Sequence, residues 1–324
     1  MDISPDGPFL TGCLFESPAD PAAAAELSAT GAATLADYVD LRPHCSPVEN
    51  QRNTNSCTAN ATVGALEYHQ IRLGHPECDL SRMFVYYNAR QLAGMEGDDV
   101  GSFIHHVMAS ILAHGACEER LWPFQKAMCT IKPTEHAYRD AQRFQAVQYA
   151  RTPLGPAAQA ALDGGLPVVF GTYIPGRFYD EAGRSGVMPE PSEQVERPGS
   201  GHAMLLVGYD AVKERWLARN SWGEGWAEGG YCWIPFKTLK AYSDPTHFWT
   251  IGTIDQVPTL ALRTNEAVRY GKSAEVLKNT AASSGFSPEE LRSRARSILG
   301  DQGTTPQGTD DATRQSLRDR LRGS

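Results

Sequence analysis

The chain has 324 residues, of which 41% are hydrophobic and 21% charged, and its formal net charge is −8. That length holds one large domain or two modest ones, with a composition suited to a packed core. No apolar run approaches the roughly 20 residues that span a bilayer. The acidic balance disfavours nucleic acid, whose phosphates are bound by clustered Lys and Arg.

Seven cysteines (13, 45, 57, 78, 117, 129, 232) are scattered without a CxxC pair, which fits neither a disulfide scaffold nor a thiolate metal site. HExxH, a Walker loop and a GxGxxG after a strand are all missing, so the sequence calls for no metal and no cofactor. No repeat with a period of 20 to 50 residues argues for a solenoid.

The N-terminus, MDISPDGPFLTGCLFESPADP, lacks the basic start and continuous apolar stretch of a secretory signal. A cytoplasmic location is the default expectation, and signal-independent export stays open. Residues 1–38 are rich in Pro, Ala, Asp and Ser, with isolated apolar pairs at Phe9-Leu10 and Leu14-Phe15. They read as a loosely ordered leader or, alternatively, as a segment that packs along the domain and covers its cleft, as a pro-region would.

From Cys57, the stretch ANATVGALEYHQIRL carries apolar residues around most of the helical circumference, the pattern of a helix buried inside a domain. Asn53, Asn55 and Ser56 supply capping chemistry before it, and Gly74 with Pro76 ends it. Further helices are predicted at about 81–93 and about 102–114, the last closed by Gly115. After about residue 140 the texture changes to short β-branched and aromatic runs: LPVVFGTYI, HAMLLVGYD, RWLARNSW, GGYCWIPF and FWTIGTI. The fold class is therefore α+β, with a helical N-terminal lobe, a C-terminal lobe built on a mostly antiparallel sheet, and a cleft between them.

Residues 258–324 form an extension. Ser287-Pro288-Glu289-Glu290 is a capping box, and Leu291, Ala295, Ile298 and Leu299 make one amphipathic stripe before Gly300. Poor order is expected beyond 300. From Arg263 onward, eleven basic residues face eight acidic ones, about +3, the charge of a solvated tail rather than a docking arm.

Cys57 opens a helix, where unpaired backbone N–H groups and the helix dipole favour a thiolate. Alone, a cysteine in that place is more often a structural thiol, so a partner base has to be found. HAMLLVGY and RWLARN flank the turn-rich DAVKE and read as an antiparallel hairpin. Opposed residues in a hairpin have a nearly constant sum of numbers. His202 and Asn220 average to 211, near the turn centre, which puts them opposite or one diagonal step apart on one face. An amide oxygen that accepts the ring N–H fixes the imidazole tautomer, leaving the other nitrogen for a thiol. Gln51, six residues before Cys57, can curl its amide back beside the Cys57 backbone N–H as an oxyanion donor.

Together Gln51, Ser56-Cys57, Gly201-His202-Ala203 running into LLVGYD, and Asn220-Ser221-Trp222-Gly223 with Gly225-Trp226 and Gly229-Gly230-Tyr231 resemble the papain-like cysteine peptidases over roughly residues 39–257. In that family His and Asn follow the Cys by about 130–150 residues; here the separations are 145 and 163, the second slightly long. The resemblance implies the two-lobed papain-like fold and an endopeptidase that hydrolyses peptide bonds through an acyl-thioester without a cofactor. It implies Cys57 as nucleophile, His202 as base and acid, Asn220 as orienter and Gln51 as oxyanion donor. Trp222 would shield the His–Asn bond, and Gly201 with Trp222 would border the substrate, a protein or peptide.

The chain departs from the family pattern in the loop before the nucleophile. Arg52, Asn53 and Asn55 stand where glycines are usual, Thr54 replaces an additional cysteine, and Thr58 replaces an aromatic residue. Thr54 removes one disulfide of secreted relatives, which suits a reducing compartment. Asn55 tolerates a left-handed backbone. Arg52 and Thr58 bear on pocket shape, and SCTANA is closest to bacterial branches. An acyltransferase or amidase on the same machinery, and a silent peptide-binding relative, are the competing readings. Cys78, Cys117, Cys129 and Cys232 are expected as buried small hydrophobes. His105 and His106 diverge by about 100° on a helix and are expected as ordinary helix residues rather than ligands of one ion.

Overall fold

A computed structural model of the chain describes residues 10–15, 35–75, 78–146, 149–191 and 201–251. Most of the leader, residues 252–257 and the whole extension 258–324 with its capping box at 287–290 lie outside the described residues.

The chain enters through two short strands, β1 (Cys13–Leu14) and β2 (Tyr38–Asp40), and then the central helix α1 (Cys57–Arg72). Helix α1 starts at the predicted residue, with a different cap. Ser56 Oγ caps no backbone N–H of the helix. Its Oγ shares a bond with Thr54 Oγ1 (2.7 Å), while Asn60 Nδ2 donates to both Ser56 O and Ser56 Oγ (2.9 Å each). Helix α2 (Arg82–Gln91) is capped as the residue type suggests, with Ser81 Oγ accepting from Phe84 N at 3.1 Å.

Ser102 and Phe103 form β3 rather than the start of a helix, so α3 (Ile104–Ala113) begins two residues late. The cause is a partner: β3 runs parallel to β1 and pairs with it. A short α4 (Glu135–Ala141) follows, capped by Thr134.

The C-terminal half contains β4 (Tyr149–Arg151), α5 (Pro156–Asp163), β5 (Val168–Tyr173), α6 (Phe178–Ser185), β6 (Gly201–Asp210), β7 (Arg215–Arg219), β8 (Tyr231–Pro235), α7 (Phe236–Tyr242) and β9 (Phe248–Ile251). These strands make one sheet in the order β3-β1-β6-β5-β9-β4, with β2 and β7 also on β6, and β8 on β7. Every pairing except β1 with β3 is antiparallel. Each of the five predicted strand runs holds a strand, and residues 252–254 of the last lie outside the described residues. Helices α4, α5, α6 and α7 were not anticipated; each is about two turns, too short for a 3.6-residue period to stand out.

Strand β6 is buried along its whole length because both its faces are covered. Ala203, Leu205 and Val207 enter the core shared with α1, α2 and α3, whereas Met204, Leu206 and Tyr209 enter a second core with α5, α6 and β8. Helix α1 therefore lies between helices on one side and the sheet on the other, which accounts for its all-round burial.

One polar clamp joins α1 to β7. Arg219 Nη1 donates to Ser46 O (2.9 Å) and Ser46 Oγ (3.1 Å), and Nη2 to Pro47 O (2.6 Å). Ser46 Oγ donates to Glu67 Oε2 at 2.5 Å, and Leu80 N to Glu67 Oε1 at 2.8 Å. Burial pushes the Glu67 carboxyl up to about 7, against the pull of the Arg219 charge. Arg219→Ala strands several buried acceptors and is expected to lower stability by about 3 kcal/mol. The shift in urea midpoint measures this; a loss below about 0.5 kcal/mol, the scale of an ordinary surface change, would show that the clamp contributes little.

Candidate active site

Cys57 is the first residue of α1 and fully buried. Its Sγ accepts a hydrogen bond from Gly12 N at 3.3 Å. Burial pushes the thiol up to about 11, although the backbone N–H groups of Ala203, Gly12 and Thr58 favour the anion. Desolvation outweighs the helix terminus here.

His202 stands near the start of β6, and Asn220 immediately follows β7. The register sum is 425 from Asp210↔Arg215 to Gly208↔Leu217 and drops to 424 beyond a bulge at Val207. His202 and Asn220 are therefore one diagonal step apart on the same face, and His202 Nε2 lies 2.7 Å from Asn220 Oδ1. Ser221 N also donates to that oxygen, at 2.8 Å. Two donors converging on Oδ1 fix the amide orientation, so Nε2 carries the proton and Nδ1 is the basic nitrogen. Nδ1 is buried and has no hydrogen-bond partner among the described residues.

Trp222 stacks on the imidazole, with centroids 4.8 Å apart and planes at 27°, and Phe178, Tyr179 and Trp226 back it. Under this cover, burial lowers His202 to about 4, with the Asn220 bond pulling the other way. Burial thus favours the neutral form of both the thiol and the imidazole.

Gln51 is held by its backbone N–H on Ser221 O (2.8 Å) and by Ser221 Oγ donating to its Oε1 (2.5 Å). Its Nε2 is thereby turned inward and donates to Thr54 O (2.9 Å) and Leu10 O (2.8 Å). In the loop to Cys57 the left-handed residue is Arg52 (φ 50°), not Asn55. Asn55 instead ties the loop to the opposite wall: its N and Nδ2 donate to Asp99 Oδ1 (2.9 Å) and Asp99 O (2.6 Å). Thr58 Oγ1 shares a 2.5 Å bond with Ser102 Oγ, filling space beside the nucleophile.

Residues 10–15 of the leader run through this place. Cys13 is paired with Ser102 on one side and Gly201 on the other, and Ser102 N donates to Gly12 O at 2.9 Å. Close backbone approach depends on glycine. A Cβ on Gly12 would come 2.0 Å from Asn55 O, and one on Gly101 (φ +86°) 2.2 Å from Gly12 O. Gly201 makes room for Phe15, whose ring packs on Tyr173 (4.4 Å) and His247 (4.8 Å). The sulfur thus meets an amide N–H, while the carbonyl on Gln51 belongs to Leu10, two residues earlier. The sequence offered only FLTGCLF, a glycine between apolar pairs, as a sign of this segment. Ser221, which holds Gln51, and Asp99, which holds Asn55 and accepts from Tyr86 Oη at 2.7 Å, gave no separate signal.

The described cysteines are all free thiols. Cys117, Cys129 and Cys232 are buried as expected, whereas Cys78 is only half-buried. Rings of His105 and His106 lie 4.3 Å apart on α3, and burial lowers both.

The sequence profile of the papain family cysteine proteases matches residues 35–242. The chain belongs to that family. Xylellain, a cysteine protease from Xylella fastidiosa, superposes with a TM-score of 0.68 at 29% identity, covering 74% of this chain and 95% of its own. A peptidase C1-like protein of Acanthamoeba polyphaga mimivirus is 29% identical over 213 residues, 62% of this chain and 68% of the viral one. Cathepsin K of Gallus gallus is 30% identical over 199 residues, 58% of this chain and 54% of its own length. The fold is the two-lobed α+β fold of these proteases, and cysteine-type peptidase activity is what the relatives support.

If the leader seals the cleft, Gly12→Val in the full chain unseats it. Alkylation of Cys57 by iodoacetamide, followed by peptide mass mapping, is then expected to accelerate at least about tenfold, the local opening having become cheaper. An unchanged rate would mean that residues 10–15 do not control access.

Proposed function

We propose that the protein is a cysteine endopeptidase working through Cys57, His202 and Asn220, and that residues 10–15 hold it as an inactive precursor. In this reading each group has one task. The Cys57 thiol gives its proton to His202 Nδ1, and the sulfur attacks the substrate carbonyl carbon. The oxyanion forms against Gln51 Nε2 and the Cys57 backbone N–H. His202 then passes the proton to the departing amine, leaving a thioester. Water, deprotonated by His202, attacks the thioester; the acid leaves and the thiol is restored. Asn220 keeps Nε2–H occupied throughout, so the same ring nitrogen always faces the sulfur.

The observation carrying this reading is that a peptide carbonyl, that of Leu10, already rests 2.8 Å from Gln51 Nε2 beside a buried thiol and a histidine with one open nitrogen. The leader is spared because its N–H, not its carbonyl carbon, meets Sγ. Protein or peptide is the substrate class, since an extended backbone is what the walls at Ser102 and Gly201 pair with.

With the leader unseated by Gly12→Val, on a denatured protein substrate, Cys57→Ala and His202→Ala are expected to abolish cleavage, and Gln51→Ala to lower kcat about 10²- to 10³-fold. Equal cleavage by all variants would end the assignment. Added primary amine is expected to leave free acid as the main product; amide as the main product would instead assign acyl transfer.

A further inference from the structure

Two buried asparagines each leave one polar atom uncommitted. Asn60, 6% exposed, lies in the first turn of α1, three residues after Cys57. Because its Nδ2 donates to Ser56 O and Ser56 Oγ, its Oδ1 is turned away, buried and without a partner among the described residues. Asn220, 3% exposed, has the opposite remainder. Its Oδ1 serves His202 Nε2 and Ser221 N, so Nδ2 is left buried without a partner. One is an acceptor, the other a donor, and they make no direct bond.

Both residues line one small cavity, together with Ala61, Ala203, Leu205 and Ser221. It offers about 10 Å³ to the centre of a water-sized sphere. A single water needs about 10–15 Å³ by that measure and two to four polar partners. An uncompensated buried amide group is costly enough that such atoms are nearly always paired.

We propose that this cavity binds one structural water, which accepts from Asn220 Nδ2 and donates to Asn60 Oδ1, and that Asn60 is thereby a positioning residue for Asn220. The water anchors the far end of the amide whose near end holds the imidazole. It links the nucleophile-bearing helix to the His–Asn pair by a route that does not pass through the cleft. The hydration site stands on geometry alone; its kinetic consequence rests on the catalytic role proposed for His202.

A high-resolution crystal structure of the full chain gives the direct test. Density for one water within hydrogen-bond distance of Asn60 Oδ1 and Asn220 Nδ2 is expected; an empty cavity, or Nδ2 bonded to another group, overturns the proposal. Two variants separate positioning from packing. Asn60→Leu keeps the volume and removes the acceptor, whereas Asn60→Ala admits further water. In peptide hydrolysis by the full chain with its leader unseated by Gly12→Val, adding Asn60→Leu is expected to lose about tenfold in kcat with KM unchanged, and adding Asn60→Ala less than about threefold. The reverse order, or equal losses in KM, would make Asn60 a packing residue and overturn its positioning role. Should Asn60→Leu fail to fold, adding Asn60→Ser to the Gly12→Val chain gives the same comparison, with a nearly unchanged kcat expected and a loss as large as tenfold contradictory. If the Gly12→Val chain itself hydrolyses no peptide, the functional reading fails, and the density still decides the water.

Discussion

The bond between His202 Nε2 and Asn220 Oδ1 is the constraint on which the rest of the site depends. It exists because two strands of one hairpin carry the residues a diagonal step apart, and the bulge at Val207 sets that step. Its direction is forced, since Ser221 N already donates to the same oxygen. Trp222 keeps water from competing for it. The remaining nitrogen, Nδ1, is the only one free to exchange a proton with a thiol. Arg219, next in the chain to Asn220, ties that end of β7 to α1 and so to Cys57.

Desolvation governs the state described. An imidazolium and a thiolate in a dry cleft would each lose hydration that their attraction repays only in excellent geometry. Here the sulfur is given an N–H from Gly12 and the ring is covered by indole, and burial favours the neutral form of both groups. The linkage has a definite sign. A histidine lowered from about 6.5 to about 4 favours the folded chain when neutral, so that contribution is present above about pH 6.5 and lost as pH falls toward 4. The buried His69, also lowered to about 4, acts in the same direction on the body of the protein.

Much of this was legible in the sequence because it depends on short-range pattern. The buried helix from Cys57, the five strand runs and the hairpin that brings His202 to Asn220 all follow from period and spacing. What escaped notice depends on tertiary partners. Ser102 and Phe103 are strand only because the leader lies beside them, and α4, α5, α6 and α7 are too short to show a period. The capping chemistry before Cys57 was expected to serve the helix, yet Asn60 reaches back to Ser56 instead. Arg52, rather than an asparagine, takes the left-handed turn. Gly12 looked like an ordinary break in a leader; its role arises from the 2.0 Å approach a Cβ would make to Asn55 O, a contact 43 residues away in sequence.

The central claim is that His202 is held as the neutral Nε2–H tautomer with Nδ1 open, under a seal that keeps it dry. Imidazole ¹⁵N chemical shifts of His202 in the full-length protein, followed from pH 8 downward, test this most directly. The account predicts a protonated Nε2 and an unprotonated Nδ1 at neutral pH, persisting until about pH 4. A ring protonated on Nδ1 in its neutral form, or one that titrates at the ordinary value near 6.5 with the fold intact, would contradict it.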